Sequence, residues 1–178
     1  PVTIVGRLIR CQVAPEGFPF PLKQVAGSFA LRGRVLEIQA LDGFFGAGAI
    51  QVRGIPTHPG AGPAAARIEI DSARGVYRVE NLLVKAESIP IDHRFRSIIG
   101  PGASEVFDQL GPQGSVGVEV RMSTAAFPPT KDEIEATVTF NGVDAAYQGF
   151  PYHFYGIQGE AVLRGGHLVL GQNLKARN

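Results

Sequence analysis

Residues 17–33 of this chain recur at 149–165, an offset of 132 positions, with seven of seventeen residues identical. Gly17-Phe18-Pro19-Phe20-Pro21-Leu22 returns as Gly149-Phe150-Pro151-Tyr152-His153-Phe154. Val25-Ala26-Gly27 through Leu31-Arg32-Gly33 returns as Ile157-Gln158-Gly159 through Leu163-Arg164-Gly165. Most of the apolar replacements keep their chemistry: Phe20/Tyr152, Leu22/Phe154, Val25/Ile157. A repeat of this kind belongs to architectures that grow by adding units, and it directs attention to an extended surface rather than a closed catalytic centre.

The second constraint is period. Val116, Val118, Val120 and Met122 alternate with Gly117, Glu119 and Arg121, and Ile134, Ala136, Val138 and Phe140 alternate with Glu133, Glu135, Thr137 and Thr139. Ile68 and Ile70, and Leu36 and Ile38, are set among charged or amide residues in the same way. Each run reads as a strand with one apolar and one polar face, the pattern of a half-solvated antiparallel sheet. Arg32-Gly33-Arg34 and Arg164-Gly165-Gly166 read as tight hairpins, and Asn141-Gly142 and Ala73-Arg74-Gly75 as further turns. Thr57 to Ala66 and Phe127-Pro128-Pro129-Thr130 read as loop breaks.

One stretch departs from period two. Asp92 is placed to cap a short helix carrying Phe95, Ile98 and Ile99, which Gly100-Pro101-Gly102 ends. A second helix starts at about Ser104, carries Val106, Phe107 and Leu110, and stops at Gly111-Pro112. Both apolar faces are expected to pack on the apolar side of the sheet.

The expected fold is therefore all-β, a curved antiparallel sheet of repeated strand–hairpin–strand units, either an open groove or sandwich-like, with a short helical insertion at about 92–110. The organisation reads as a first β repeat unit at 1–56, a Gly/Pro/Ala loop at 57–66, strands with the insertion at 67–131, and a second unit at 132–178. With 23 glycines and 13 prolines, the composition suits many short elements joined by turns. The chain begins at Pro1 and shows no signal peptide or membrane-length apolar run, so it reads as part of a longer protein.

Several chemistries find no support. Net charge is +1, so no strong overall field favours nucleic acid or an anionic membrane surface. Cys11 is the single cysteine, and His58, His93, His153 and His167 have no metal-ligand spacing. Gly43 to Gly48 lacks the lysine of a phosphate loop and reads as a bend or bulge. No nucleophile elbow is present, and Glu133 and Glu135 read as a solvated strand face. The reading is of a protein without catalytic residues, metal or cofactor.

The pattern of Gly-Phe-Pro-aromatic followed by Val25-x-Gly27…Leu36-x-Ile38, repeated as Ile157-x-Gly159…Leu168-x-Leu170, resembles the repeats of AsmA-like and TamB-like bacterial envelope proteins. The segment Ile89-Pro90-Ile91-Asp92…Phe107…Leu110-Gly111-Pro112-Gln113-Gly114 resembles a segment found between such repeats. What the resemblance implies is a long curved β-groove that carries lipid acyl chains without catalysis. It implies a periplasmic or cell-envelope location in a membrane-anchored parent chain. Phe29, Leu31, Leu36, Ile38, Val138, Phe140, Val162, Leu168 and Leu170 are then the candidate lining residues. They alternate with polar neighbours or sit in the repeated strands, so they are expected to share one face. A β-sandwich binding or adhesion module, and a structural spacer in a large surface protein, remain open on the same alternation.

Overall fold

The computed structural model describes the chain apart from residues 1, 15–20, 47, 57–63, 72–75, 100, 127–128, 148, 150–151, 166 and 178, with backbone alone at 71, 76–77, 98, 101–103, 106 and 168. It is one antiparallel sheet of eleven strands. In chain order these are β1 (Thr3–Val13), β2 (Leu22–Arg32), β3 (Val35–Phe45), β4 (Gly48–Gly54), β5 (Ala66–Asp71), β6 (Val76–Pro90), β7 (Ser115–Thr124), β8 (Ile134–Ala146), β9 (His153–Arg164), β10 (His167–Leu170) and β11 (Lys175–Arg177). Helices α1 (His93–Ile98) and α2 (Pro101–Leu110) are inserted between β6 and β7.

The strands follow one another across the sheet as a meander. β4 and β5 share one lane, since both pair with β3 on one side and β6 on the other. β10 and β11 share the last lane, both pairing with β9. The first half of the β4/β5 lane ends at Gly54 and the second begins at Ala66; most of the expected 57–66 loop, residues 57–63, lies outside the described residues.

The repeat is present in the backbone. β2, the turn and β3 correspond to β9, the turn and the β10/β11 lane. Arg32↔Val35 and Leu31↔Leu36 in the first hairpin match Arg164↔His167 and Leu163↔Leu168 in the second. Left-handed or other positive-φ residues fall at the same places: Gln24 and Gly156 (φ 53 and 59), Gly27 and Gly159 (152 and 129), Gly33 and Gly165 (62 and 58). The second copy departs beyond Leu170, where the chain leaves the ladder and resumes one residue out of step at Lys175↔Gln158.

These positive-φ residues also bend the sheet. Arg10, Gln24, Ser88, Gly142 and Gly156 (φ 53, 53, 55, 83 and 59) each sit beside a register shift on successive parts of the sheet. A bulge turns its own strand and sharpens the twist, so bulges in a line across the lanes make a crease. A second line runs through the shift between Ser28 and Phe29, the departure of the chain after Gly54, and Asn81 (φ 56). Asn141-Gly142 is thus a bulge inside β8 and not a turn, because the ladder to β9 continues on both sides of it. Gly46 (φ 58), conversely, lies in a tight hairpin joining β3 to β4, where a bend or bulge was expected.

The molecule is open. Its accessible surface is 11553 Å², whereas a compact monomer of this mass exposes about 8,300 Å². The core lies along the first crease and comprises Phe45, Ile50, Ala86, Ile89, Val116 and Val143. Phe95 of α1 packs onto it, as do Leu22, Val138, Phe140 and Ile157.

The insertion forms for local reasons. The Asp92 carboxylate accepts hydrogen bonds from the Arg94 and Phe95 backbone N–H groups at 2.9 and 3.2 Å, filling the orphan donors of a first helical turn. Hydrogen bonding from the Arg94 side chain holds the Asp92 carboxyl below the usual range. The Arg96 guanidinium clasps Asp108 of α2, and the Phe95 and Phe107 rings lie 6.4 Å apart. α2 starts at Pro101, three residues before the expected Ser104, since proline suits a first helical turn. Gly111 (φ 50) ends it. The legs of the insertion continue the ladder through Ile91 to Gly114 and Gln113 to Asp144.

Candidate apolar groove

Pairing registers assign every described strand residue to one of two faces. Leu82, Val84 and Ala86 of β6 oppose Met122, Val120 and Val118 of β7, which oppose Ile134, Ala136 and Val138 of β8. The row continues to Leu163 and Ala161 of β9, and in the other direction to Ile50 and Val52 of β4, and Leu41 of β3. Among the described residues, no charged side chain interrupts this face.

The opposite face is polar. Glu37 joins Arg32 and Arg67, and Glu80 joins Arg67 and Arg78. Glu119 bridges Lys85 at 2.6 Å and Arg121 at 2.7 Å. Burial pushes the Glu119 carboxyl up, and the hydrogen bonds from Lys85 and Arg121 outweigh it, leaving it below the usual range. Such exposed pairs add little stability. They do keep this face in water, as does the shallow polar pocket lined by Arg67, Glu69, Arg78 and Glu80.

The sequence candidates distribute as follows. Phe29, Leu31, Leu36 and Ile38 share the apolar face on β2 and β3, where Phe29 pairs with Ile38 and Leu31 with Leu36. Val138 and Phe140 share it on β8 and pack against the core. Leu170 of β10 joins them opposite Ala161, and is 60% exposed. The register sets Leu168 opposite Leu163; its side chain is outside the described residues. Val162 does not belong. It pairs with Thr137 and Val169, one residue out of phase with Ala161 and Leu163, so it stands on the polar face. Its neighbours Ala161 and Leu163 are apolar as well, so alternation does not mark its face and only the register does.

The face also includes residues outside that set. Val84, Val118, Val120 and Ala136 occupy its centre. The alternation of 116–122 signalled two of them, whereas β6 carries two left-handed residues, Asn81 and Ser88, which break its period. At the first edge, the Phe29 ring lies directly over Gly6, where a Cβ would fall 2.5 Å from its Cζ. This aromatic covers a glycine that leaves the edge strand bare. The rims are wet: Ile4 is 50% and Leu163 37% exposed.

Among the described residues, no helix is long and apolar enough to cross a membrane. No family model matches the chain, and neither does any curated protein or solved structure.

Proposed function

We propose that this chain is a non-enzymatic segment that accommodates lipid acyl chains along the apolar face of a creased, open β-sheet. One observation carries the reading: a single apolar face runs uninterrupted from β2 to β10 and is left partly in water. Monomeric proteins rarely leave so large an apolar surface open without an occupant. Burial of hydrocarbon supplies about 25 cal/mol per Å², so several methylenes laid along this face bind without a charged anchor. The resemblance to AsmA-like and TamB-like repeats points the same way, and with it a place in the cell envelope within a longer parent chain.

The test is native mass spectrometry of delipidated protein incubated with a phospholipid. Bound lipid is expected, and Phe140→Glu or Val118→Glu, which put a carboxylate into the centre of the face, are expected to remove it. Val162→Glu, on the polar face, is expected to leave binding unchanged. Absence of bound lipid on the wild-type chain, or equal loss in all three variants, refutes the reading.

A further inference from the structure

The corner of the sheet where β8 turns into β9 gathers exposed aromatic residues beside basic ones among the described residues. Tyr147, Tyr152, Phe154 and Tyr155 are 42, 46, 38 and 52% exposed. Three of the four tyrosines in the chain are thus gathered at one corner. They point to both sides of it. Phe154 pairs with Ala145 and continues the apolar face, whereas Tyr155 is on the polar face, stacked on His153 at 6.0 Å. Lys175 and Arg177 run alongside on the last lane, opposite Gln158 and Tyr155. Neither forms an ion pair among the described residues, in contrast to the paired arginines of the polar face. The acidic neighbour Asp144 is engaged locally, accepting the Gly156 N–H at 2.7 Å.

Amphipathic rings beside unpaired cations match a bilayer interface. Tyrosine seats its ring among the upper methylenes and its hydroxyl among headgroups, while lysine and arginine meet lipid phosphates. We propose that this corner docks on the surface of an anionic lipid bilayer and sets the apolar face against the membrane, so that acyl chains pass between bilayer and groove there. The inference builds on the acyl-chain reading, and Phe154 is its link, since it belongs to both surfaces.

Vesicle flotation tests it, using phosphatidylcholine with and without phosphatidylglycerol. The wild-type chain is expected to float with the anionic vesicles. Tyr152→Ser with Tyr155→Ser is expected to weaken this at least about tenfold, from the lost ring area. Lys175→Gln with Arg177→Gln is expected to weaken it about thirtyfold on anionic vesicles and little on neutral ones. The chain has no tryptophan, so Tyr152→Trp, alone, reports the environment of the corner. Its emission is expected to shift to the blue on vesicles, and that of Arg34→Trp, in the hairpin at the far end of the strands, to stay put. The two readings separate because the corner variants are expected to keep monomeric lysolipid in native mass spectrometry, whereas Phe140→Glu loses it and still floats. Failure of the wild type to float, an unmoved Tyr152→Trp emission, or flotation of both double variants at the wild-type level overturns the proposal.

Discussion

At the scale of the residue, backbone conformation rather than side-chain chemistry sets the most exacting demands. Gly27 has φ 152, and a Cβ there would overlap the Ala40 carbonyl oxygen. Gly33 has φ 62 but open space around it. Gly27→Ala should therefore cost about 3 kcal/mol or more, since nothing but backbone can yield. Gly33→Ala should cost only the roughly 1 kcal/mol of a left-handed L-residue. Urea denaturation of the two variants checks the ordering. The repeat supplies a second prediction. Gln24 holds φ 53 where its counterpart Gly156 holds 59. Gln24→Gly relieves the left-handed strain and gives back part of it as unfolded-chain entropy, so a net stabilisation of about 0.5 kcal/mol is expected in the same assay.

At the scale of the element, the connection from β7 to β8 has its own chemistry. A single 3-10 turn at Lys131–Glu133 leads into β8. The Glu133 carboxylate accepts from the Thr130 N–H and hydroxyl, both at 2.8 Å, and from the Ala125 N–H at 3.3 Å. The bond from the Thr130 backbone is the chief reason its pKa falls from 4.5 to about 2. A carboxylate depressed by folding stabilises the fold above its unfolded pKa and loses that contribution as pH falls through the folded value. Stability should thus decline between about pH 4.5 and 2, and thermal melts of Glu133→Gln should decline less steeply over that window. The helical pair was legible from the chain because Asp92 and Gly111 are caps with a fixed meaning, and Phe95 and Phe107 are at helical spacing. The strands at 116–122 and 134–140 were legible from period two. β1 and β6 were not, because Arg10, Asn81 and Ser88 adopt a conformation that sequence pattern does not assign to arginine, asparagine or serine. For the candidate groove, Phe29, Leu36 and Phe140 could be placed by alternation alone. Val162 could not, since its face depends on which residue of β8 it opposes.

At the scale of the molecule, openness is the property to measure. A compact chain of this length has a radius of gyration of about 16 Å. Small-angle scattering on the monomer should give a clearly larger value, and a value at the compact figure would contradict the exposed sheet. The creases carry a further implication. They run across the lanes, so strand length fixes the cross-section of the trough while the number of lanes fixes how far it extends. Each lane adds about 4.8 Å. A duplicated hairpin such as 149–174 therefore lengthens the trough by about 10 Å and leaves its bore untouched. Growth in such a molecule is additive in one dimension only. Gene duplication can lengthen such a sheet without altering its profile.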